Sequence, residues 1–478
     1  MNFKLMKNTG IYTLLGFIPL VSSFVLLPIY TQYLTAADYG IVSLAGVMES
    51  YLLVLITFGM QSAFSVYYFD YLNLNNGIAR LLSTVLLSIL GIGLIFVMIF
   101  LFGGEYIFNS LWENNLPFKK YGWYIYSNAV VLSLNQIIFQ YYRVSENLKQ
   151  VMFVSLAPFF GSTIGGIIGI VILKNGALGG VTGKAIGTLL MSIPFYLLLF
   201  KKIGVGFDAK IAKNIFNYAY PFVLIFFISN LSETADRFLM NQYFDLKIVG
   251  IYAFSLVVVS PIRILIQSYW NSVTPSMYKA VSENSIGKIN IVHNGLSGVL
   301  IVSLTSIWGV IMVVDPVIRI VANPTYYGAI YYIPVLALTV FGRSYDLIYT
   351  FNASFYKMTK FLPLINVASL VVGVSSALIL VGHIGIGAIF VAVVLSKITQ
   401  GVSAYLIDKL LGYNSFPLQY QMPLVLLTFV MVILNYIVIY DHFGSNIEIV
   451  HFTEGVLFFL AFFLYNRDLF KKIVNHLN

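Results

Sequence analysis

Long apolar stretches separated by short polar ones recur from end to end of this 478-residue chain. A helix needs about 20 largely apolar residues to cross a bilayer. Windows of that kind fall near 10–30, 41–63, 81–102, 122–142, 150–173, 184–200, 217–239, 249–272, 293–314, 330–351, 361–382, 386–407, 421–440 and 451–466. The pattern predicts an all-α integral membrane protein with about fourteen transmembrane helices, since lipid offers the backbone no other hydrogen-bond partners. The connecting segments are short, so no soluble catalytic or nucleotide-binding domain is expected. Lys4 and Lys7 precede the first window, and no small-residue cleavage pattern follows it, which reads as an uncleaved first span.

Composition agrees: 59% of residues are hydrophobic and only 9% charged, far outside the soluble range. The net charge of +9 raises nucleic acid as a partner. Its basic residues lie scattered at helix ends with no patch of interleaved aromatics, so no nucleic-acid partner is expected. The same residues set an orientation. With a cytoplasmic N-terminus, 17 Lys and Arg residues fall in inside segments and 6 in outside ones. Both termini are then cytoplasmic. The chain has no cysteine, which removes disulfides, thiolate metal sites and cysteine nucleophiles.

Gln32-Tyr33 followed by Gly40-Ile41 recurs as Gln242-Tyr243 followed by Gly250-Ile251, an offset of 210 residues. Both copies fall between the first and second spans of a duplicated six-span bundle. Repeats of the same topology predict two lobes related by an axis along the membrane normal, with cargo between them. The expected division is a first lobe over 1–203, a second over 204–416, and an additional helix pair with the C-terminus over 417–478. The lysine-rich segment 201–218 would link the lobes.

Several familiar motifs are absent. Gly179-Gly180-Val181-Thr182-Gly183-Lys184-Ala185 has the look of a phosphate-binding loop. It lacks the first glycine, where Leu178 stands, and the magnesium-holding hydroxyl, where Ala185 stands. It is expected to be a tight interhelical turn. No zinc-protease, nucleophile-elbow or dinucleotide motif occurs, so neither cofactor nor metal nor enzymatic activity is expected.

Charge inside the spans carries the functional signal. Arg237, Arg263, Arg343 and Lys397 lie within apolar windows, where each cation costs about 3 kcal/mol without a partner or a wet cavity. Ser229, Glu233 and Arg237 share one face of the seventh span. Two readings stay open there: a Glu233–Arg237 brace, or a polar face lining a cavity. Arg343 and Asp346, three residues apart, suit a local pair. No acid lies near Arg263 or Lys397 along their own helices, so each needs a partner from another helix, a wet cavity or an anionic ligand; for Arg263 the ligand is favoured, because its planar fork matches phosphate oxygens. Glu49, Asp236, Glu233 and Asp346 are the candidates for coupling an ion. Glu49 could also stay protonated and inert, or pair with Arg263 or Lys397. A transporter of anionic cargo is the reading from the residues.

Ala235-Asp236-Arg237-Phe238-Leu239 with Val249-Gly250-Ile251-Tyr252 resembles a stretch of the Wzx-type flippases of lipid-linked oligosaccharides. So do Asn323-Pro324-Thr325-Tyr326, Ile333-Pro334-Val335-Leu336-Ala337, the Gly385-Ile386-Gly387-Ala388 turn and Tyr39-Gly40-Ile41. The resemblance implies the multidrug/oligosaccharidyl-lipid/polysaccharide exporter fold, MATE-like, with two six-helix lobes and an added helix pair. It further implies a bacterial inner membrane location and an undecaprenyl-pyrophosphate-linked glycan as cargo. Membrane lipids, a polysaccharide polymerase and a chain-length regulator are its implied partners. Arg263, Lys397, Arg237 and Arg343 would then bind substrate. The alternative is a multidrug exporter of the same fold, which would favour an acidic cavity.

Overall fold

A computed structural model describes residues 26–283, 287–356, 358–412, 422–442 and 447–466. Most of the first expected span and both chain ends lie outside them. Nine helices among the described residues are long and apolar enough to cross a membrane, and Met422–Leu434 and Val450–Tyr465 are shorter apolar helices. The described residues contain no strand. The architecture is that of an all-α membrane protein, as the hydrophobic pattern requires.

Contacts divide the chain into Met1–Ala253 and Phe254–Asn478. The seventh span clusters with the first of these units, whereas the division expected from the sequence repeat begins the second lobe at 204.

The first unit contains α1 (Ala36–Thr57), α2 (Met60–Tyr71), α3 (Gly77–Trp112), α4 (Trp123–Val144), α5 (Leu148–Ile167), α6 (Gly176–Ile203), α7 (Ala209–Tyr243) and the start of α8 (Leu246–Ser282). Thr35 caps α1 through a capping box: its hydroxyl accepts the Asp38 N–H at 3.1 Å, and Asp38 accepts the Thr35 N–H at 3.4 Å. The other Asp38 oxygen accepts the Ala177 N–H at 3.2 Å, tying the starts of α1 and α6 together. One repeat later, Asp245 accepts the Ile248 N–H at 3.0 Å at the start of α8.

The second expected span is broken. Phe58 and Gly59 both adopt left-handed backbone (φ 52° and 68°), which ends α1 and restarts the chain as α2. A side chain at Gly59 would come within 2.9 Å of the Ala219 carbonyl on α7.

The glycine-rich segment expected as an interhelical turn is instead inside α6. Gly179, Gly183 and Gly187 face Gly169, Gly165 and Gly161 of the preceding span, with the two backbones in contact. Small residues four apart let membrane helices approach to backbone distance. That packing explains the glycines without any phosphate.

The segment joining α6 to α7 is shorter than expected, 204–208 rather than 201–218. It is also strapped to α3. Ser83 donates to the Gly206 carbonyl at 2.7 Å, the Asp208 N–H to Thr84 at 3.1 Å, and Arg80 pairs with the Asp208 carboxylate at 2.6 Å.

The second unit contains the rest of α8, then α9 (Lys288–Val321), α10 (Ala329–Leu338), α11 (Val340–Tyr349), α12 (Phe351–Phe355), α13 (Leu362–Ile384), α14 (Gly387–Leu410), α15 (Met422–His442) and α16 (Ile447–Tyr465). The additional pair, α15 and α16, is fixed to α9 through Trp308. Its indole N–H donates to Thr428 at 3.0 Å and its ring stacks on Phe458 at 4.9 Å. Met312 fills the space that Gly455 leaves open.

Candidate functional site

In the second unit, α11 and α14 approach closely because Gly342 has no side chain; a methyl there would meet the Lys397 carbonyl at 2.5 Å. One turn further along α11 stands Asp346. Its carboxylate accepts from Arg343 at 2.8 Å, as the spacing suggested, and is also attracted by Lys397. Arg343 extends its second nitrogen to the Gln267 side-chain oxygen at 3.4 Å, which brings in α8. Gln267 in turn donates to Asn271 at 2.9 Å. Arg263 lies one turn before Gln267 on the same face of α8. It is exposed and makes no ion pair among the described residues. Arg343 and Lys397 thus meet at the Asp346 carboxylate, and Gln267 links them to the face of α8 that carries Arg263.

The first unit handles its charge differently. Glu49 on α1 pairs with Lys184 on α6 at 3.0 and 3.1 Å and accepts from Asn128 on α4 at 2.8 Å. Of the alternatives open for Glu49, pairing occurs, but with Lys184 of its own unit rather than with Arg263 or Lys397. The Glu233–Arg237 brace does not form: Glu233 is exposed, and the Asp236 carboxylate instead accepts the Arg237 backbone N–H and the Tyr252 hydroxyl. The Arg237 Nε is buried without a hydrogen-bond partner, and its charge is felt by Tyr39 and Tyr51. Beside it, Ser50 and Asn230 bond each other (3.1 and 3.2 Å), as do Tyr51 and Thr234 (2.6 Å), joining α1 to α7.

With this geometry in hand, the relatives are informative. The family model described as polysaccharide biosynthesis protein matches residues 29–331. The chain belongs to that family. No curated protein matches it. Among solved structures it resembles the lipid II flippase MurJ in an inward closed conformation, at 17% identity and TM-score 0.74, covering 96% of this chain and 99% of that one. It also resembles an inward-facing multidrug resistance MATE family transporter of the MOP superfamily, at 13% identity and TM-score 0.67, covering 81% and 93%. A further neighbour is a MOP superfamily transporter from Pyrococcus furiosus titled for the reverse polarity of its binding pocket, at 14% identity and TM-score 0.59, covering 85% and 95%. Identities this low speak for the fold alone, which is the MurJ/MATE-like transporter fold.

Within this polysaccharide biosynthesis family member, Arg263, Arg343, Asp346 and Lys397 fall in one neighbourhood of the second unit. Glu49, Glu233, Asp236 and Arg237 lie in the first. The hydropathy reading missed Lys184 by starting the sixth span at that residue. The four-residue glycine spacing on both sides of the turn was the signal that would have placed it inside a helix. It also missed Asp315, which is 1% exposed and accepts from Arg319 at 2.8 Å within α9. That pair was hidden because Arg319 was read as lying outside the membrane.

Proposed function

We propose that this protein flips an undecaprenyl-pyrophosphate-linked oligosaccharide from the cytoplasmic to the outer leaflet of a bacterial inner membrane by alternating access. The observation that carries the reading is the meeting of Arg343 and Lys397 at Asp346, with Arg263 one turn from Gln267, the α8 partner of Arg343. Arginine and lysine side chains in an apolar surround suit a diphosphate, whose oxygens accept charge-assisted hydrogen bonds from them. Arg263 offers the bidentate fork, Lys397 a mobile point charge, and Arg237 in the other unit a further cation. The lipid tail stays in the bilayer while the head group crosses.

Both termini are cytoplasmic in this scheme, and the chain is built as two six-helix lobes plus a helix pair. Outward movement of anionic cargo runs downhill by about 2.3 kcal/mol per charge per 100 mV. Membrane potential then assists the step, and Glu49, Asp236, Glu233 and Asp346 are the positions where an exchanged ion would act. A polymerase and a chain-length regulator would act on the product. A multidrug exporter is the rival reading, and MATE neighbours share the fold. Cationic drugs call for an acid-rich cavity, whereas Arg343 and Lys397 both act on the one carboxylate of Asp346.

The test compares Arg263→Ala and Arg263→Lys for surface glycan at equal protein level. Export falling in Ala and only partly recovering in Lys supports the role; undiminished export in both refutes it. A knockout that raises drug sensitivity while surface polysaccharide stays intact favours the rival.

A further inference from the structure

The seam between the broken span and α4 carries a side-chain hydrogen bond toward each end, with unpartnered polar atoms between them. At one end Asn128 bonds Glu49. At the other, Gln140 donates to Ser65. These two bonds set α1 and α2 running alongside α4 in parallel register, and that register puts Gln136 level with Gln61, one turn from the Gln140–Ser65 contact. Thr57, the last residue before the break, is 1% exposed and its hydroxyl has no partner. The side-chain oxygens of Gln61 and Gln136 are likewise buried and unpartnered, and neither amide makes a hydrogen bond among the described residues. Leaving such groups unmade in an apolar surround is costly.

Interrupted helix at membrane depth is tolerated where it is packed in protein or lines a wet cavity, and in transporters interrupted helices build binding sites. We propose that Thr57, Gln61 and Gln136 form a neutral subsite at the Phe58–Gly59 break that takes sugar hydroxyls of the cargo's glycan. The inference rests on the flippase reading above and adds to it where the sugars are read. An amide presents both donors and an acceptor, as a hydroxyl does. A hydroxyl-rich neutral ligand uses both, whereas a cation would waste the amide donors and finds no free carboxylate here, since Glu49 is held by Lys184. The three oxygens are closed off in this structure. Entry of a glycan therefore requires α2 to move away from α4 about the Phe58–Gly59 break.

The test measures binding to the full-length protein in nanodiscs with two probes: undecaprenyl diphosphate, and the lipid-linked oligosaccharide extracted from the producing cell. Gln61→Met and Gln136→Met keep the volume and remove the polar atoms. Each is expected to weaken the oligosaccharide-bearing lipid about tenfold, the scale of one lost hydrogen-bonding group, and to leave the bare diphosphate within about twofold. Equal losses for both probes, or none for either, overturn the subsite. Sodium-dependent binding that these variants abolish while glycan preference persists overturns it in favour of a cation site. If wild-type protein binds neither probe, the flippase reading itself fails. Gln61→Asn, which withdraws the amide by one methylene, replaces Gln61→Met should that variant not fold, with the same outcomes.

Discussion

Gly40 packs against Gly250, its own counterpart one repeat later. The contact is reciprocal: a side chain on Gly40 would meet the Leu246 carbonyl, and one on Gly250 would overlap the Ala36 carbonyl. Ala36 and Leu246 are themselves 210 residues apart. A surface that touches its own copy in this way is what a local two-fold axis generates. The crossing of α1 and α8 is therefore locally two-fold. Gly250→Ala is expected to destabilise the protein by about 1–3 kcal/mol, because an added methyl has only backbone to displace. Gly46→Ala, where a side chain meets nothing within 4 Å, should be near neutral. Thermal unfolding of both variants in detergent checks the contrast; equal melting temperatures would refute it.

Glu49 and Lys184 predict a coupled pair. Removing either partner leaves the other charge in a poorly solvated seam, although Lys184 is 40% exposed and so relieved in part by solvent. Glu49→Gln and Lys184→Met are each expected to cost about 1–2 kcal/mol, less than the penalty of a fully buried pair. The double variant should cost clearly less than the two together. Additive losses in unfolding measurements would mean the residues act independently.

Much of this architecture is legible in sequence because apolar length is a direct physical requirement of the bilayer. The helical class follows from it, and so does the Arg343–Asp346 pair, since three residues along a helix is a contact distance. The local two-fold at Gly40 was foreshadowed by four matching residues. Partners from distant helices were not legible: hydropathy does not reveal that α6 brings Lys184 beside Glu49. The break at Phe58–Gly59 was equally hidden. Its flanks, Leu55-Ile56 and Met60, are as apolar as any intact helix, and the αL backbone of Phe58 has no signature in residue type.

Asp208 gives the strap between α6 and α7 a pH dependence. The Ile211 backbone N–H, with Lys210 N–H and the Arg80 guanidinium, holds its carboxyl below the usual carboxylate range. A depressed folded value means the stabilisation is present above the ordinary carboxylate pKa of about 3.9 and is lost as pH falls through the lowered one. Proteolytic nicking or hydrogen exchange of residues 204–208 should therefore rise below about pH 4 in the wild type. In Asp208→Asn it should already be raised at neutral pH and change little with acid. A wild-type profile as flat as the variant's would count against the strap.

The Asp346 carboxylate sets how much positive charge the second unit offers to a ligand. It holds Arg343 at 2.8 Å and attracts Lys397, so both cations are partly neutralised. Asp346→Asn keeps the shape and removes the competitor. If the cations await a diphosphate, undecaprenyl diphosphate should bind about three- to tenfold tighter, while protein stability falls because like charges now face one another. Added salt should shrink the gain, as screening requires. Weaker binding in Asp346→Asn would instead make the carboxylate a positioning group for Arg343. Restoring affinity with Asp346→Glu, which brings back the charge, would separate that role from a general loss of fold.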